Sequence, residues 1–219
     1  MMSDLYGSTH RALQERHGTG RLADMLEALA HPVFDEADAA FIRAAAMFFL
    51  STVDDQGRPT VSYKGGAPGF VRLTGPSELV FPSYDGNGMF LSLGNLAANP
   101  KVGLLFIDFT APRRLRVQGD AWIAPDDDPL LAEYPGADLL VRVEVETIFV
   151  NCGRYIHPAG SVSLSRHIPD AEGRQPFPAW KRIAPLAETL GPEDRAEVAA
   201  AGGPIEIEAY RGEELPPET

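Results

Sequence analysis

Four stretches decide the fold: RPTVSYKGG (58–66), DGNGMFLSLGNL (85–96), NPKVGLLFIDF (99–109) and RLRVQGDAWI (114–123). Short apolar runs exchange here with glycine turns and one short helix. FFLSTV (48–53) runs into the turn cluster Asp54 to Gly57, and Pro59 to Tyr63 returns as its hairpin partner. A proline that opens a strand suits a sheet edge. Gly65, Gly66, Pro68 and Gly69 form a bend, and strands at 70–74 and 78–82 are split by Gly75-Pro76. KVGLLFIDF is nearly continuous in apolar residues, which predicts a strand buried on both sides. In RLRVQGDAWI, Leu115, Val117 and Gly119 point one way while Arg114, Arg116 and Gln118 point the other. LLVRVEVETIFV (139–150) alternates most clearly of all. About six short antiparallel strands result, a small barrel. Asn87-Gly88 marks a turn into a helix over 88–98, with Met89, Leu93 and Leu96 on one face and Pro100 closing it.

Outward from this core, Leu22, Met25, Leu26 and Leu29 recur at helical spacing before Pro32, and a second helix begins near Asp35 with Phe41, Ile42 and Ala45 on one face. The chain therefore divides into an N-terminal helical segment packed on the barrel (1–46), a barrel core (47–150) and a C-terminal segment that completes the site (151–219). DDDPLLAEYPGAD (126–138) is an acidic loop or short helix. In the C-terminal segment, GPEDRAEVAAAGG (191–203) reads as a helix with proline in its first turn and glycines past its end, and IEIEAY (205–210) as a last strand.

Composition narrows the function. The 219 residues carry a formal charge of −12, which opposes binding to a phosphate backbone by the surface at large. Cys152 is the single cysteine, so neither a disulfide framework nor a cysteine zinc site is expected, and the five histidines show no metal-binding pair at helical spacing. The N-terminus lacks an apolar signal core and no apolar run approaches the ~20 residues of a membrane span. A cytoplasmic protein is the expectation.

The central block also offers what a flavin mononucleotide needs: donors along a ring edge and positive charge or helix amides at a phosphate. Lys64 ends a strand beside a glycine bend, Ser83, Asn87 and Ser92 surround the start of the short helix, and Arg114 and Arg116 share a strand face. Spacing alone leaves ordinary surface strands as an equal reading.

The order TVDDQGRP, VSYKGG, LGNLAANP, VGLLFID and RLRVQGDA resembles the flavin-binding split-barrel family related to pyridoxamine 5′-phosphate oxidase. The resemblance extends over about residues 40 to 150, and the element from Asn151 to His157 resembles bacterial flavin-nucleotide-binding relatives within it. It implies a mainly β fold with flanking helices, a six-stranded antiparallel split barrel, and a homodimer holding FMN at its interface. By the same resemblance the activity is an FMN-dependent oxidoreductase acting on a small molecule, with a nicotinamide electron donor. Non-catalytic flavin storage or sensing, and a barrel using deazaflavin or haem, are the alternatives. The implied cofactor ligands are Ser62, Lys64, Ser83, Asn87, Ser92, Arg114 and Arg116, with Arg154 and Trp180 from the tail. The departures are specific. Leu91 and Ser92 stand where the true oxidases carry an Arg-Lys phosphate grip, Ser62 replaces an arginine, and Arg114 replaces a ring-contacting glutamine. The C-terminal arginine and histidine that read pyridoxal have no match.

Overall fold

The computed structural model describes residues 5–151, 156–157, 159, 168–174 and 176–214, the last four of these by backbone alone. It divides into two compact units, Met1–Arg174 and Gln175–Thr219.

In the first unit, helices α1 (Ser8–Arg16), α2 (Gly20–Glu27) and α3 (Glu36–Ala44) precede the sheet, and α4 (Leu91–Ala98) interrupts it. The strands are β1 (Met47–Val53), β2 (Pro59–Gly65), β3 (Arg72–Gly75), β4 (Glu78–Tyr84), β5 (Lys101–Asp108), β6 (Arg113–Ile123) and β7 (Ala137–Asn151). All pairings are antiparallel, in the order β2-β1-β5-β6-β7-β4-β3. That makes seven strands where six were expected. Each of the seven falls on a stretch read as strand, including the four-residue β3 expected at 70–74 and turned onto β4 by Pro76 and Ser77, so only the count of six is corrected. No ladder joins β2 to β3 among the described residues, so the sheet ends on two edges. Pro59 opens the edge strand β2, where its missing N–H costs no ladder bond.

One face of the sheet is the core. Phe48, Leu50, Phe81, Leu104, Phe106, Val117, Val141, Val143 and Ile148 are essentially inaccessible. The Phe48 ring lies 5.0–5.9 Å from those of Phe70, Phe81 and Phe106. β5 is not buried on both sides: Val102, Leu104 and Phe106 are buried, while Gly103, Leu105 and Ile107 on the other face are half-exposed. Its continuous apolar run thus supplies one core face and one face that no described element covers.

α4 packs Leu93 and Leu96 into the same core, and its Asn95 Nδ2 donates to the buried Thr52 Oγ1 on β1 (3.0 Å). The helix begins at Leu91 instead of 88, because Phe90 takes a left-handed backbone conformation (φ 47°); Met89 lies outside it and is exposed. α3 starts on a reciprocal cap, with Asp35 Oδ1 accepting from the Asp38 amide (2.8 Å) and Asp38 Oδ2 from the Asp35 amide (3.2 Å). Ile42 of α3 enters the core. α2 differs from expectation: only Ala23 is buried, and Leu22, Met25, Leu26 and Leu29 stay 46–70% exposed. Polar contacts fasten this helix instead, with Arg11 bridging to Asp24 (2.7 Å) and to Glu27. The acidic segment contains a 3-10 turn at Pro129–Glu133, held by Asp128 accepting from the Leu130 amide.

In the second unit, a 3-10 turn at Ala179–Arg182 leads to α5 (Ala184–Ala187), α6 (Pro192–Ala200) and α7 (Ile207–Glu214). α6 has its proline at the first turn, and Gly202 and Gly203 follow with positive φ. The expected strand at 205–210 does not form. Ile205 makes one parallel bridge to Ile183, and with no strand edge beyond it the chain turns helical. No described helix is long and apolar enough to cross a membrane.

Candidate functional site

Cross-strand register sorts the sequence-predicted residues by face. Ser62 pairs with Leu50, Leu50 with Leu104, Leu104 with Val117 and Val117 with Ile148, a row of inward side chains. Lys64 pairs with the buried Phe48, so it also points inward. Residues directly opposite in an antiparallel pair share a face. Ser83 pairs with Leu139, two residues beyond Phe81, on that same inner side.

The next row out alternates to the other face: Tyr63, Phe49, Leu105, Arg116 and Phe149. Arg114 pairs with Ile107 and Asn151 and shares Arg116's side. Within one chain, then, the serines and the lysine occupy the inner face and the two arginines the outer one. Arg116 is exposed, its guanidinium 5.8 Å from the Phe149 ring centroid.

Ser62 and Ser92 are brought together directly, Oγ to Oγ 2.9 Å. This joins the edge strand to the first turn of α4. Left-handed Phe90 offers no side-chain cap there, so the helix presents its first amides without one. Lys64 is the next inward residue along β2. Burial alone pushes its pKa down, and among the described residues no carboxylate or carbonyl partners its ammonium. A half-buried ammonium without a counterion costs free energy that an anion would recover. Burial pushes the pKa of Tyr84, the last residue of β4, up, against the opposing charge of Arg72. Asn87 is exposed and serves the loop itself, its Oδ1 accepting from the Met89 amide (3.1 Å).

The family of Pyridoxamine 5'-phosphate oxidase matches residues 34–152. The chain belongs to that family. Among solved structures, it is similar to HupZ of Group A Streptococcus (19% identity over 58% of this chain and 99% of that one, TM-score 0.46). It is similar to HutZ, the haem storage protein of Vibrio cholerae (25%, 51% and 89%, TM-score 0.39). A third likeness is a FAD-binding protein of Mesorhizobium loti (15%, 57% and 99%, TM-score 0.39). None of the curated proteins matches.

The glycine of the pyridoxamine 5'-phosphate oxidase-like motif RLRVQGDA has a local cause. The β6–β7 register slips between Gln118 and Gly119, and a Cβ at Gly119 would stand 2.1 Å from the Glu144 carbonyl oxygen. Only glycine allows that approach. The short helix ending in Asn99-Pro100 is the α4 that carries Ser92. Arg154 lies outside the described residues. Trp180 belongs to the second unit, half-buried in its 3-10 turn.

Sequence reasoning missed two features. The uncapped start of α4 depends on one backbone conformation at Phe90, for which the sequence holds no signal. The His31–Asp38 pair (Nε2 to Oδ2 2.7 Å) joins residues seven apart across Pro32, and the Asp35-x-x-Asp38 spacing of a capping box was its one visible trace.

Proposed function

We propose that this protein binds FMN and uses it as a small-molecule oxidoreductase. The observation that carries the reading is Lys64, inward-facing, desolvated and without a counterion, on the strand whose Ser62 touches the uncapped start of α4. Together they form an anion site: an ammonium, two hydroxyls and free helix amides suit the flavin phosphate. This set replaces the Arg-Lys grip that Leu91 and Ser92 displace. Ser83, on the same inner face, and Asn87 on the adjoining loop are the donors toward the ring. When bound, the flavin accepts and donates hydride; the chain's residues bind it, orient it and exclude water.

The outer face supports a homodimer. Val61 and Tyr63 are 64% and 60% exposed, and they continue through Phe49 and Leu105 as an apolar sheet surface that no described element covers. Arg116 shares that outer face and would belong to the contact with the second copy. A nicotinamide is the proposed electron donor.

Titration of the flavin-free protein with FMN and with riboflavin tests the phosphate assignment. The expected result is FMN tighter by about tenfold or more, since a charge-assisted hydrogen bond contributes ~1.5–3 kcal/mol. Equal affinities would overturn it.

A further inference from the structure

We propose that a cavity between α3 and the paired ends of β6 and β7 is a second small-molecule site, one that takes an organic monocarboxylate with an apolar body. Its volume is about 320 Å³, and its wall includes His31, Asp38, Phe41, Arg113, Arg114 and Asn151. That is enough for a small ligand.

The charges divide unevenly. His31 donates Nδ1–H to the Leu29 carbonyl (3.0 Å) and holds Asp38 through Nε2, so imidazolium and carboxylate neutralise each other. Burial lowers the His31 pKa, but the Asp38 hydrogen bond, the Leu29 carbonyl and the charges of Asp38 and Asp35 raise it further, which favours this charged pair. Asp35 is occupied in capping α3. The His31, Asp35 and Asp38 ligand atoms lie within 4.8 Å of one another, yet these hydrogen bonds account for them without a metal ion.

Arginine is left over. Arg113 lies over the Phe41 ring (5.1 Å) and feels Asp108 across the β5–β6 pair. Among the described residues Arg114 has no ion pair and no hydrogen bond, although its Nε is fully buried. Its cross-strand partner Asn151 has a buried Oδ1 in the same condition. Buried polar atoms normally find partners, and leaving one without costs ~1–3 kcal/mol. Both side chains line the cavity. In a chain with 31 acidic residues against 19 basic ones, a guanidinium with no carboxylate of its own points to an external anion.

A planar carboxylate matches the guanidinium edge. Asp35 on the facing wall, which has no cation of its own among the described residues, adds negative charge that disfavours a dianion such as phosphate. Leu115, Val150 and Phe41 offer the hydrocarbon its surface. This assigns Arg114, which the family resemblance implies as a flavin ligand, to a site on the face opposite the proposed flavin site with Lys64 and α4.

The test is titration of the full chain with acetate, 4-methylpentanoate, phenylacetate and benzoate, with benzamide as the neutral control and inorganic phosphate as the dianion. Saturable binding of at least one apolar carboxylate is expected, tenfold or more tighter than benzamide and phosphate. Methyl shifts should centre on Leu115 and Val150. Arg114→Met should weaken it tenfold or more with the unfolding midpoint unchanged or raised, whereas Lys64→Met should leave it intact. Each of three results overturns the proposal: no saturable carboxylate binding at 50 mM (about the weakest affinity worth calling a site), affinity unchanged in Arg114→Met, or methyl shifts centred on Leu93 and Leu96 of α4.

Discussion

Replacing Lys64 by methionine separates binding from folding. The ammonium is desolvated and makes no ion pair among the described residues, so in the ligand-free protein it opposes folding: its folded pKa lies below the unfolded value, and the charged form is the penalised one. Methionine keeps the length and apolar stem and removes that cost. The ligand-free variant should therefore unfold at a temperature equal to or above that of the parent. FMN binding should move the other way. A charge-assisted hydrogen bond to phosphate contributes ~1.5–3 kcal/mol, which corresponds to a roughly 10- to 150-fold rise in Kd at about 1.4 kcal/mol per decade. Ser62, Ser92 and the α4 amides remain, so binding should weaken without vanishing. Fluorescence quenching of FMN gives the affinity, and thermal unfolding without ligand gives the stability. Unchanged FMN affinity, or lost affinity accompanied by a lower unfolding temperature, would refute the reasoning.

Other expectations concern the frame of the site. Gly119→Ala forces a Cβ to within 2.1 Å of the Glu144 carbonyl, and urea unfolding should show a loss of ~3 kcal/mol or more because backbone has to give way. Thr52→Val is nearly isosteric but strands the buried Asn95 amide, so it should cost about 1–3 kcal/mol in the same assay. The His31–Asp38 pair predicts a pH dependence. Because the folded His31 pKa is raised above 6.5, the pair's contribution is fully present below that pH and is lost as pH rises through the folded value. Urea midpoints should fall from pH 6 toward pH 9 (roughly the span over which a raised histidine deprotonates), and His31→Gln should flatten that slope.

Much of the fold was legible because its signals are local. Alternation located β6 and β7, the turn cluster at Asp54 to Gly57 located the first hairpin, and Pro59 marked an edge. What failed depended on distant partners. The stripe from Leu22 to Leu29 has helical spacing, but spacing does not say whether anything covers it, and among the described residues of this unit nothing buries it. KVGLLFIDF reads as doubly buried from composition, whereas Gly103, Leu105 and Ile107 on its second face stay half-exposed, because an apolar run does not say which of its faces another element covers. IEIEAY alternates like a strand, yet a strand requires an edge to pair with, and Ile205 finds one residue. In the site, the serines and Lys64 fell on one face as the period of two dictates. The same rule puts Arg114 and Arg116 on the other, a consequence that emerges only once the register linking β2, β1, β5 and β6 is known.

The most direct test of the central claim is the absorption spectrum of the protein as purified, followed by mass spectrometry of what heat releases and by addition of FMN to any flavin-free fraction. The account predicts an FMN spectrum, with about one flavin per chain after reconstitution (a single phosphate site per Lys64). A colourless protein that refuses added FMN would contradict it.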